Sequence, residues 1–131
     1  MIVVDTSVWI DFFRDTPGRD SEQLEGLIRE SNRVAICGVI LQEILQGIKS
    51  RKVYETTRER LLKLPFLDTN RETYLLAAAI YRELRIHGIT VPSTDVTIAA
   101  ICVSNHAPIY TRDEHFMAIG KHSQLALYSR E

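Results

Sequence analysis

Four acidic residues, Asp5, Glu43, Asp95 and Asp113, stand where a chain of alternating strands and helices can use carboxylates for chemistry. Asp5 closes the β-branched run Ile2-Val3-Val4, Asp95 opens an apolar stretch from Val96 to Val103, and Asp113 follows the short run Ile109-Tyr110. Strand exits and helix starts are the edges of an open parallel sheet at which ligands bind. Glu43 lies inside a helical pattern formed by Ile40, Leu41, Ile44, Leu45 and Ile48. At 100° per residue the stripe from Ile40 to Leu45 is roughly 140° wide, and Glu43 projects about 60° beyond its edge, along the rim of the core. Carboxylates gathered beside a core repel and shift one another's pKa values unless a cation compensates. Oxygen ligands without accompanying His or Cys favour magnesium or manganese over zinc. Such a site suits phosphodiester hydrolysis, because the ions orient a water, lower its pKa and neutralise phosphate charge as the transition state forms. Each acid also has a structural reading: Asp5 and Asp95 as helix caps or first-turn charges, Asp113 as a turn residue, Glu43 as an exposed helix residue.

The elements that must position these acids follow from punctuation and periodicity. Ile2-Val3-Val4 reads as a strand, and Asp5-Thr6-Ser7 offers capping groups for a helix through Phe13. Arg14 to Asp20 contains Pro17-Gly18 and reads as a loop, before Leu24, Leu27 and Ile28 at helical spacing. Val34-Ala35-Ile36 is a second strand that stops at Cys37-Gly38, and the helix carrying Glu43 follows. A basic helix over roughly residues 50–63 stops at Pro65, with Phe66-Leu67 as a candidate third strand. Residues 71–86 form the clearest helix, with Tyr74, Ala77, Ala78, Tyr81 and Leu84 on one side, and Gly88 ends it. Pro92-Ser93-Thr94 provides a turn and cap for a helix with almost no polar face, which predicts passage through the core. Ile109-Tyr110 reads as a strand, Asp113 to Ile119 as a short helix and Leu125-Ala126-Leu127 as a last strand. The alternation implies a single α/β domain over residues 1–131, with a mostly parallel sheet flanked by helices on both faces.

A length of 131 residues fits one domain, and 45% hydrophobic with 25% charged residues excludes disordered, collagen-like and coiled-coil classes. No apolar stretch approaches the roughly 18 residues that span a bilayer, and the pattern of a secretory signal is missing, so the expectation is a cytoplasmic protein with no membrane partner. Cys37 and Cys102 lie far apart in apolar surroundings and read as buried spectator thiols. A net charge of −1 provides no global attraction for nucleic acid. Locally, Lys49, Arg51, Lys52, Arg58, Arg60 and Lys63 outnumber Glu55 and Glu59, a stretch that fits either phosphate contact or a solvated helix face.

Four segments then resemble, in order, the acidic motifs of the PIN-domain nucleases and, within them, the VapC toxins of bacterial and archaeal toxin–antitoxin pairs. These are Val4-Asp5-Thr6-Ser7-Val8-Trp9-Ile10, Leu41-Gln42-Glu43-Ile44-Leu45-Gln46-Gly47, Thr94-Asp95-Val96-Thr97-Ile98-Ala99-Ala100 and Tyr110-Thr111-Arg112-Asp113-Glu114-His115-Phe116. The resemblance spans the chain, and its specificity lies in four short motifs occurring together at suitable spacing. It implies that Asp5, Glu43, Asp95 and Asp113 bind magnesium, with manganese as a substitute, and that Ser7 places a hydroxyl near the reacting water. It further implies a magnesium-dependent endoribonuclease acting on RNA, a homodimer and a VapB-type antitoxin partner. Glu114 stands beside Asp113 and is a second candidate for its role, while the motif makes His115 mostly structural. His87, His106 and His122 read as surface or loop residues, and Trp9 and Phe12 as packing or interface residues. Two other functions compete: a catalytically silent PIN fold used for binding, whose acids would be incomplete, and a receiver-like or phosphatase-like module phosphorylated on Asp5. The second lacks the acid that an Asp-x-Asp phosphatase needs where Ser7 stands, and Lys121 has no context that suits a receiver.

Overall fold

β-branched and aliphatic runs too short to stand alone combine into one sheet. A computed structural model describes residues 1–14, 18–30 and 33–128. In chain order the elements are β1 (Ile2–Val4), α1 (Thr6–Phe13), α2 (Arg19–Arg29), β2 (Val34–Cys37), α3 (Gly38–Gln46), α4 (Arg51–Leu62), β3 (Phe66–Leu67), α5 (Arg71–Ile86), α6 (Ser93–Ser104), β4 (Ile109–Tyr110) and α7 (Glu114–Lys121). The strands are all parallel in the order β3-β2-β1-β4, with Ile2 opposite Val34, Val4 opposite Tyr110 and Ile36 opposite Phe66. Every residue of β1 and β2 is buried, as expected for parallel strands covered by helices on both faces.

The connectivity creates the site. From β1 the chain steps outward to β2 and β3, then returns to lay β4 on the opposite side of β1. The strand order reverses there, and the crevice beyond the carboxyl ends of β1 and β4 is where such sheets bind ligands. Asp5 is the first residue past β1, and its N–H continues the ladder onto the Tyr110 carbonyl at 2.8 Å. Helix α6 passes through the core, with Val96, Ile98, Ala99, Ala100, Ile101 and Cys102 all buried, and it packs against α5, α7 and α3.

The helix over 71–86 forms with those bounds, started by a capping box in which the Asn70 side chain accepts from the Thr73 N–H and the Thr73 hydroxyl accepts from the Asn70 N–H. Gly88, at φ 75°, takes the left-handed backbone that lets the Ile89 N–H reach the Leu84 carbonyl at 2.9 Å. The expected apolar side of this helix needs correction. Thr73, Ala77, Ile80 and Leu84 are buried, whereas Tyr74 and Ala78 are exposed, with the Tyr74 hydroxyl bonded to that of Thr69 at 3.3 Å. Helix α6 begins at Ser93 with Pro92 as its N-cap, so Ser93 and Thr94 lie inside it. Leu125-Ala126-Leu127 forms a single parallel bridge from Leu127 to Ile109, not a strand, held by Ile109 N–H to the Ala126 carbonyl and Tyr128 N–H to the Ile109 carbonyl. Of the loop expected over 14–20, residues 15–17 lie outside the described residues.

Candidate metal centre

Asp5 carries the strongest sign of a functional carboxylate. It is 6% exposed and occupies the N-cap position of α1, yet its side chain caps no N–H. Its Oδ2 instead accepts from the Ser7 hydroxyl and from the Thr111 hydroxyl, both at 3.0 Å. Thr111 also accepts from the Asp113 N–H at 2.9 Å, tying the exit of β4 to the exit of β1. Arg112 adds a second tie, donating to the Ser7 carbonyl at 3.2 Å and to Asp11.

Asp95 lies in the first turn of α6, its side chain 13% exposed. Burial, followed by the negative charge of Asp113, pushes its carboxyl up from 3.8 to about 6, with a smaller contribution from Asp5 and a partial opposing pull from His115. The exits of β1 and β4 and the start of α6 therefore converge, and their acids repel. Asp113 has a double role. It is the N-cap of α7, accepting from the His115 N–H at 2.9 Å, so its structural reading holds, while it also belongs to a group with Asp95 and His115 whose donor atoms all lie within 4.8 Å of one another. Glu114 is exposed in the first turn of α7 and outside that group.

Glu43 stands outside that group and is linked toward Asp5 through Thr6. As the stripe geometry requires, it is only partly exposed, and it accepts from the Thr6 hydroxyl at 2.8 Å, one residue along from Asp5. One expectation is overturned: the acids do have an accompanying histidine. His115 Nδ1 lies 3.0 Å from Asp95 Oδ2 and 3.4 Å from Asp113 Oδ1. Sequence reading gave no functional place to Thr6, Thr111 and Arg112, although short hydroxyls directly beside Asp5 and two residues before Asp113 were the available signal.

The remaining candidates settle outside this site. Cys37 and Cys102 are buried and free, and burial pushes both thiols up, which keeps them protonated and unreactive. Trp9 is buried and stacks on Phe13, and Phe12 packs edge-on against both. Lys49 and the basic residues of α4 are exposed, with Arg60 set over the Phe12 and Phe13 rings at 5.2 and 5.3 Å. His87 and His106 are exposed, and the His122 ring lies against that of His87, tilted by 33° with centroids 4.3 Å apart. Among the described residues no helix is long and apolar enough to cross a membrane.

A four-stranded parallel sheet in this order, with acids past the ends of β1 and of the edge strand β4 and at the start of the core helix, defines a class: residues 2–122 match the model of the PIN domain, and the chain belongs to that family. Within it the relatives are VapC ribonucleases. Ribonuclease VapC11 of Mycobacterium tuberculosis is 37% identical over 129 residues, covering 95% of this chain and 96% of that protein. Ribonuclease VapC1 of Methanocaldococcus jannaschii is 27% identical, covering 98% and 88%. Among solved structures, VapBC2 from Rickettsia felis bound to a promoter DNA fragment superposes with a TM-score of 0.80 at 19% identity, covering 100% of both chains.

The state of Asp95 has a measurable consequence. A carboxyl whose folded pKa, about 6, exceeds its unfolded value near 3.8 contributes stability that is fully present below the lower value and lost as pH rises through the upper one. In metal-free protein, the melting temperature of Asp95→Asn relative to wild type is therefore expected to climb as pH rises from about 4 to about 7. Paired thermal melts across that range check it, and a difference independent of pH would contradict it.

Proposed function

We propose that this chain is the toxic member of a toxin–antitoxin pair, a magnesium-dependent endoribonuclease that hydrolyses RNA phosphodiester bonds. The observation that carries the reading is the grouping of Asp95 and Asp113 with His115 at the sheet's switch point, linked through the Thr111 hydroxyl to the buried Asp5. The donor set fits a hard divalent cation: carboxylates at an open edge, one of them buried and oriented by hydroxyls. Asp5, Asp95 and Asp113 would hold it, with Glu43 beside them and manganese as a substitute for magnesium. Bound there, such an ion supplies Lewis-acid polarisation of the phosphate and a water of lowered pKa.

The protein's own groups position and orient. Ser7 and Thr111 fix the Asp5 carboxylate, and the Ser7 hydroxyl would stand near the reacting water. Thr6 holds Glu43 at the rim. Arg112 ties the Ser7 backbone to the β4 exit, so the two acid-bearing strand ends keep their separation. RNA as substrate follows the names of the relatives, which are ribonucleases. Its phosphates would be drawn by the cation and by the exposed basic residues of α4, which answers the near-zero net charge.

A VapB-type antitoxin as partner is supported by the fold's likeness to toxins solved in VapBC complexes. A cavity of about 170 Å³ lined by Ile10, Phe13, Ile44, Ile48 and Val53, with Glu43 on its wall, would accept an apolar segment of such a partner. A homodimer and a cytoplasmic location complete the proposal. The test is expression in a bacterial host. Growth arrest is expected from the wild type, relief from co-expression of a cognate antitoxin, and no arrest from Asp5→Asn protein that remains folded. Arrest by that variant at wild-type strength would reject a catalytic origin and favour a silent binding module.

A further inference from the structure

We infer that His115 supplies a nitrogen ligand to the divalent cation of this site and biases it toward manganese over magnesium. The inference rests on the metal-dependent reading above and names a property of this chain's own residues. His115 Nδ1 lies 3.0 Å from Asp95 Oδ2 and 3.4 Å from Asp113 Oδ1. Neighbouring ligands of a small divalent cation with bonds of about 2.1 Å are about 3 Å apart, so Nδ1 stands at ligand-to-ligand distance from both carboxylates, and the donor atoms of all three residues lie within 4.8 Å of one another. The arrangement is built into the fold. Asp113 caps α7 by accepting the His115 N–H, which sets the carboxylate and the imidazole on the same helical turn, and α6 brings Asp95 to them from 20 residues away. The His115 side chain is 46% exposed against 13% for Asp95, so the ring closes the solvent side of the group, where a cation would otherwise keep water.

The chemical consequence follows from ligand preference. Magnesium dehydrates reluctantly and is bound through carboxylates and retained waters, whereas imidazole favours transition metals. A shell that keeps two or more carboxylates and adds one imidazole nitrogen suits manganese, which accepts both ligand types. The competing role for His115 is a hydrogen-bond donor that only orients Asp95, with its nitrogen outside the shell.

Pulsed electron paramagnetic resonance of the protein loaded with Mn²⁺ alone separates the two roles. Nitrogen modulation is expected in wild type, altered by ¹⁵N-histidine labelling and absent from His115→Gln. In competition titrations the same substitution should weaken Mn²⁺ binding by about tenfold or more and Mg²⁺ binding by less than about threefold. Bound Mn²⁺ without nitrogen modulation in wild type, or equal weakening for both ions, overturns the inference and leaves the metal site standing. Absence of Mn²⁺ binding, or binding unchanged in both Asp5→Asn and Asp95→Asn, overturns the metal-dependent reading with it. The wild-type spectrum decides even if the His115 variant fails to fold.

Discussion

Asp95→Asn is expected to slow RNA cleavage by roughly 10³-fold, since losing a ligand removes several kcal/mol of transition-state charge stabilisation and each 1.4 kcal/mol is a factor of ten. The protein should remain folded. In the absence of metal its melting temperature should equal or exceed that of the wild type, because the amide removes the charge that burial, Asp113 and Asp5 all oppose. A structural role predicts the opposite pattern. Loss of a favourable first-turn charge at the start of α6 would destabilise the helix by about 0.3–1 kcal/mol while leaving chemistry intact. Asp5→Asn provides the second arm. Its amide oxygen can still accept from Ser7 and Thr111, so geometry survives while the negative charge is lost. Activity assays paired with thermal melts decide, and near-normal cleavage by either folded variant would refute the assigned roles.

The second large effect is stabilisation by the cation. A ligand that binds only the folded state at a hundred times its Kd adds about 2.7 kcal/mol, which for a chain of this size raises the melting temperature by roughly 10 °C. Magnesium or manganese should produce such a shift in wild type, and the shift should shrink strongly in Asp5→Asn, Asp95→Asn and Asp113→Asn. Glu43→Gln should lose less, since its carboxylate is held by Thr6 and, unlike Asp113 and Asp5, is not among the charges that act on Asp95. Melts across a magnesium series measure this. Identical shifts in wild type and all variants would show that the ion binds elsewhere.

Much of this was readable from residues because local and global signals agreed. The run Ile2-Val3-Val4 ended by Asp5, and the all-apolar helix opened by Asp95, are unusual enough that topology had few ways to arrange them. Faces and partners were harder. The buried stripe of α5 was misplaced because Tyr74 counts as apolar by ring and behaves as polar by hydroxyl. A strand at 125–127 was expected from composition, but only one bridge forms there. The motif makes His115 mostly structural, and nothing beside it along the chain indicates that Asp95, 20 residues away, will meet it; the packing of α6 against α7 brings them together. Thr6 and Thr111 were overlooked because a hydroxyl's function depends on which carboxylate it faces.

The most direct test of the central claim is incubation of purified protein with RNA, with magnesium or with excess chelator, followed by chemical mapping of the product ends. Hydrolysis by an activated water at a carboxylate-held cation predicts cleavage only with the metal, leaving 5′-phosphate and 3′-hydroxyl ends. Undiminished cleavage in chelator, or 2′,3′-cyclic phosphate ends from attack by the ribose hydroxyl, would contradict it.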